Sequence, residues 1–189
     1  MEIKSTTDKI VKILLNPPLG WKKAEFSGLK FGNVIFPYLT GILVLCFLSR
    51  VIGKSLSYLS ISSIQHIMFY SLFSLFVDYL FFISLVLSIN ALLPYNDSKA
   101  DKTKVGFLLL ISLLPFYASI IILNLLPSLF FLAIISFYSL FILYWGISKY
   151  LKINEKRQVI FFTLTSIIII GIWLILHFII IYPFFEFFI

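Results

Sequence analysis

The sequence predicts an all-α polytopic membrane protein, a bundle of five transmembrane helices with a short amphipathic segment ahead of it. Three observations carry that prediction. No charged residue occurs between Lys104 and Lys149, and that interval reads as two apolar segments, 105–123 and 128–147, joined by Asn124-Leu125-Leu126-Pro127. Each segment, at 1.5 Å per residue, covers a hydrocarbon layer of roughly 30 Å. Hydrophobic residues make up 61% of the 189, charged ones only 12%, and the mean hydropathy is +1.07, more apolar surface than a soluble fold of this length can hide. The charges that do occur gather in short flanks between apolar runs.

Residues 1–32 are polar to amphipathic. Thr6 or Thr7 with Asp8 can open a helix, a hydroxyl capping free N–H groups and an acid suiting the positive end. Ile10, Val11, Ile13, Leu14 and Leu15 then crowd one side beside Lys9 and Lys12, and Pro17-Pro18 closes the run. The expectation is a cytoplasmic helix lying on the membrane, with Trp21 in the headgroup zone. These breaks also argue against a cleavable signal peptide.

The five-span domain occupies 33–189. The first span is expected over 33–49, with Pro37 near its start and Arg50 and Lys54 closing it. The second, 66–93, is long for a bilayer and should tilt or project. The charged turn PYNDSKADKTK leads to the hairpin 105–123 and 128–147, in which Pro115 is a candidate kink. Trp145 lies near the end of the fourth span and is read, like Trp21, as interfacial. The basic loop SKYLKINEKRQ precedes the last span, 159–182, and the aromatic tail Tyr182–Phe188 suits an outer belt.

Sidedness follows from Lys and Arg. Thirteen of the 15 fall in the N-terminal segment and the loops after the second and fourth spans; Arg50 and Lys54 alone fall on the other side. The positive-inside rule therefore expects a cytoplasmic N-terminus and an external C-terminus. The net charge of +7 is explained by orientation and anionic lipid, so no nucleic-acid partner is expected. Heavy use of Ile, Phe, Lys and Asn suggests an AT-rich bacterial genome, hence the cytoplasmic membrane.

Asp78 stands in the middle of the second span, in SLFVDYLFF, where insertion costs about 2.5–3.5 kcal/mol and desolvation favours the protonated acid. Two readings stand: an ion or proton site, or a carboxylic acid bonded to a neighbouring Tyr or Ser that fixes the packing. His177, in the last span, would complete a relay with Asp78; by itself it is a packing histidine. Asn90 and Asn124 sit near span ends, and Gly28 and Gly32 have small-xxx-small spacing. The lone cysteine, Cys46, excludes an intramolecular disulfide. Metal-ligand spacing, a phosphate-cradling loop and paired membrane carboxylates are all missing, so no enzyme activity, cofactor or metal is expected.

Asn16-Pro17-Pro18-Leu19-Gly20-Trp21, Phe36-Pro37-Tyr38, the close-set third and fourth spans, and Tyr144-Trp145-Gly146-Ile147 before a basic loop form an ordered series over nearly the whole chain. In that order and spacing the chain resembles the bacterial branch of the Ypt-interacting-protein (Yip) family of five-span membrane proteins. The resemblance implies a non-enzymatic protein that scaffolds or organises a membrane assembly, with the lipid bilayer, other membrane proteins or itself as partners. Eukaryotic relatives have a larger cytoplasmic N-terminal region, bind Rab-type GTPases and act in vesicle traffic; with residues 1–32 there in this sequence, GTPase binding is not carried over. No catalytic residue comes with the resemblance, and Asp78 matches none of its motifs. The alternative is a small transporter or channel using Asp78.

Overall fold

The computed structural model describes residues 2–24, 32, 35–57, 61–96 and 101–181, and every regular element among them is helical. The middle of the bundle is helix α5 (Lys102–Ser112), in which Val105 to Ser112 are buried without a break. A helix apolar all round has no face to give to solvent and goes to the centre. Asp101 caps it, its side chain accepting the Lys104 N–H at 2.9 Å. Helix α5 packs chiefly on α4 (Ile61–Leu92) and α7 (Ile135–Lys149), while α3 (Phe36–Ser57) packs on α4 and α6 (Leu114–Leu125), and α8 (Glu155–Ile175) on α4 and α7. The outermost is α8, where Val159, Ile160, Ile167 and Ile170 are exposed while Phe161 and Thr165 face inward. In a bilayer that outer apolar surface meets lipid tails.

Among the described residues four helical stretches are long and apolar enough to cross a membrane: Phe36–Leu56, Ile64–Leu92, Pro127–Lys149 and Glu155–Phe178. The pair α5 and α6, bent by 40° between them, adds a fifth when counted as one broken span. The molecule is thus the all-α polytopic bundle expected, with two changes in its elements. The first span does not stop at residue 49 but continues through Arg50 to Leu56. Its two basic residues therefore belong to the helix, Lys54 lying 3.7 Å over the Tyr70 ring. The second span belongs to a 32-residue helix, α4, about 48 Å long and so longer than the hydrocarbon layer.

The bend in the third span falls at Leu113, two residues before Pro115. Proline has no N–H to return to the preceding turn, and the ladder opens there. The Phe116 N–H, which an unbroken helix would direct at Ser112, is instead bound by Ser139 Oγ of α7 at 3.0 Å. One turn on, Ser119 Oγ lies 2.6 Å from Ser136 Oγ. These serines fasten the two arms of the hairpin and satisfy the backbone that the kink releases. Leu126 and Pro127 turn the corner, and the fourth span then begins as 3-10 helix, Pro127–Ile134, before relaxing into α7.

The N-terminal segment forms two helices, α1 (Glu2–Leu15) and α2 (Pro17–Lys23). The helix starts at Glu2 rather than at Thr6 or Thr7, and Thr6 is buried. Pro17 does end α1, and it also opens α2 at a position where a missing N–H costs nothing. The fold at Asn16 is tight: a Cβ on Gly20 would lie 2.5 Å from the Ile13 Cα. The pair packs along α7, with Tyr138 Oη donating to the Leu14 carbonyl at 2.8 Å and Trp21 Nε1 to the Ile142 carbonyl at 3.1 Å. From Tyr138 to Tyr150, whose ring centre is 5.1 Å from that of Trp21, is about 18 Å of α7. Val11, Leu15 and Leu19 face away from the bundle. Gly28 and the tail 182–188 lie outside the described residues, as does residue 33, where the first span was expected to begin; Gly32 is exposed and has nothing within 4 Å of a Cβ position.

Candidate functional site

The intramembrane acid is paired. Arg50 Nη2 of α3 lies 2.8 Å from Asp78 Oδ2 of α4, with side chains only 9% and 8% exposed. Side chains on a helix lean toward its N-terminus. In two neighbouring helices packed side by side and running in opposite directions, Arg50 and Asp78 therefore lean toward each other along the interface. The Tyr or Ser expected as the partner of a packing carboxyl is corrected by this geometry. The partner is a guanidinium from the first span, and among the described residues neither a Tyr nor a Ser is seen to hold the acid.

The surroundings of the pair are close and largely buried. On α3, Ser49 Oγ donates to the Cys46 carbonyl at 2.8 Å and accepts from Asn124 Nδ2 of α6 at 3.2 Å. Cys46 Sγ points at the Tyr117 carbonyl at 4.0 Å, a weak donor contact. Gly53 lets α3 reach the backbone of α6, since a Cβ there would overlap the Asn124 carbonyl. Ser71 and Ser74 share the Asp78 face of α4 at helical spacing and are buried at 0% and 1% exposure. Among the described residues their hydroxyls, Arg50 Nη1 and the Tyr117 phenol have no hydrogen-bond partner. Tyr79, next to Asp78, turns away and donates to Thr40 Oγ1 at 2.7 Å.

His177 lies within electrostatic range of Arg50 but bonds to neither member of the pair among the described residues. Its ring stacks on Trp173 with centroids 4.4 Å apart, in the π-helical turn Leu176–Ile181. Among the described residues the ion-pair partner of Asp78 is Arg50, so the relay partner expected of His177 is taken up by other contacts. Trp145 sits one turn before Lys149, half-buried, edge-on to Tyr144 and Phe141, with the Lys149 Nζ 5.9 Å from its ring centre. Trp21 is 1% exposed and enclosed by protein rather than presented to headgroups. Its ring rests on Gly146, where a Cβ would meet Trp21 carbons at 3.0 and 3.2 Å. Beyond the end of α7, burial pushes the Tyr150 phenol up, and the Asp101 carboxylate adds to the shift.

No protein-family model, curated protein or solved structure matches the chain. Among the described residues no three His, Cys, Asp or Glu side chains come together as a metal site. The arrangement has one strong electrostatic contact, and that contact joins two spans.

Sequence reasoning missed Arg50 because a charge beside a serine-rich loop reads as a flank. The available signal was length: a span over 33–49 covers roughly 26 Å, short of the ~30 Å layer.

Proposed function

We propose that the chain is a non-enzymatic integral membrane protein of the Yip-like type that scaffolds or organises a membrane assembly. The observation behind this reading is the Arg50–Asp78 pair. An acid already compensated by a neighbouring span is in a poor state to load and release ions, and in a good one to lock two helices in register. Contact between Trp21 and Gly146 adds to it, because it joins two of the stretches on which the family resemblance rests. In this reading the protein lies in the bacterial cytoplasmic membrane with its N-terminus inside, and its partners are other membrane proteins or further copies of itself.

A second reading, a small transporter or channel, is favoured by the unpartnered hydroxyls of Ser71 and Ser74 on the Asp78 face of α4. Affinity capture in mild detergent, with co-purifying proteins identified by mass spectrometry, separates the two. One reproducible assembly is expected. A protein that purifies alone and gives a pH-dependent flux in liposomes, lost in Asp78→Asn, would replace the scaffold by the transporter.

A further inference from the structure

We propose that the lateral cavity beside the kink of the third span binds an uncharged, bilayer-dissolved carbonyl compound with a flat ring and an apolar chain, of the lipophilic quinone class. The cavity holds about 320 Å³ and is bounded by α4, the α5–α6 bend, α7 and α8. That volume falls at the lower end of the roughly 300–1,000 Å³ of small-molecule sites. Its floor is buried, with Leu109, Ser112 and Leu143 at 0–1% exposure. Its rim is not: Phe137, Ile170 and Leu174 are 70%, 52% and 41% exposed on the outer face of the bundle. It therefore opens sideways, toward hydrocarbon, and takes its occupant from the bilayer.

Two features narrow the occupant. Phe81, Phe116, Phe137 and Trp173 all contribute to the wall, and aromatic faces of this kind stack on a flat ring. The wall also contains three serines in different states. Ser139 is bound to the Phe116 N–H and Ser136 to Ser119. Ser112, 1% exposed, has a hydroxyl with no hydrogen-bond partner among the described residues. A buried hydroxyl left unpaired is costly, and a ligand carbonyl that accepts from it recovers the loss.

Depth then excludes ordinary phospholipid. Ser112 lies ten residues beyond Lys102, about 15 Å along the helix, which is half of a ~30 Å hydrocarbon layer. A phospholipid whose headgroup stays at the interface can offer only methylenes at that level. A neutral molecule dissolved in the bilayer interior can bring a carbonyl there. The inference is independent of the scaffold reading, since it uses neither Arg50 nor Asp78.

The test uses the full-length protein in liposomes, with its tryptophan fluorescence quenched by a decyl-substituted benzoquinone. A saturable component above the linear partitioning background is expected, and it should vanish in Trp173→Phe. Ser112→Ala should raise the half-saturating quinone concentration about three- to tenfold, the loss of one hydrogen bond. Circular dichroism of each variant checks that the helices remain. In unmodified protein, decylbenzene, which has a ring and chain but no carbonyl, should compete weakly. Strictly linear quenching overturns the site. So does saturation unaltered in Ser112→Ala, or equal competition by decylbenzene, because the carbonyl would then have no role.

Discussion

At the scale of single residues, the ion pair decides what substitutions at Asp78 can mean. Asparagine preserves the shape of the side chain, but it leaves the Arg50 guanidinium buried without a counter-charge. Breaking a buried pair from one side costs about 3–5 kcal/mol, while replacing both members by apolar groups of similar size is often neutral. Asp78→Asn and Arg50→Met should each lower resistance to unfolding in detergent by about that amount, and the double variant Arg50→Met/Asp78→Leu should recover most of it. A double variant as weak as the sum of the two singles would mean that the residues act separately. The acid was legible in the sequence, because one charge in an apolar run is conspicuous. Its partner was not, because the pairing depends on how far α3 runs past residue 49 and which face it turns to α4. Neither quantity is written in local composition.

Among the elements, the N-terminal pair shows how a motif acquires a physical meaning. Asn16 accepts the Leu19 N–H, Pro17 opens α2, Gly20 permits the close approach to Ile13, and Trp21 is the anchor delivered to α7. The other half of the contact is Gly146, where any side chain would collide with Leu108 and with the Trp21 ring. Gly146→Leu should release α1 and α2 while leaving the five spans inserted. Added protease should then cut within residues 2–23 much faster than in the unmodified protein, with the remainder protected. Equal rates in both proteins would show that Trp21 does not hold the segment. The amphipathic pattern of residues 10–15 was sufficient to predict a helix there. It could not tell a bundle flank from a membrane surface, because both bury one apolar face. The bend at Leu113 was legible, since proline breaks the ladder by its covalent structure. That Ser139 would supply the missing acceptor was not, since the contact crosses from one arm of the hairpin to the other.

For the molecule as a whole, the placement of charge sets an orientation. With Arg50 drawn into the bundle, Lys54 is the one Lys or Arg left at the loop between the first two spans, and it lies over the Tyr70 ring in the last turn of α3. The 13 basic residues of the N-terminal segment and of the loops after the second and fourth spans are then expected on one side, opposite one nearly without Lys or Arg. The positive-inside bias counts residues close to span ends, so moving Arg50 inward strengthens the asymmetry. Lys102 and Lys104 begin α5, while Lys149 ends α7, so the two basic loops flank the same end of the hairpin. An odd number of crossings, counting α5 and α6 as one bent span, is then expected to put the two termini on opposite sides. A reporter active only outside the cytoplasm should be silent when fused near Ser98 and active when fused after Ile189. Activity at Ser98 would invert the bundle. Silence at both positions would mean that α5 and α6 re-enter and leave on the same side, reducing the crossings to four.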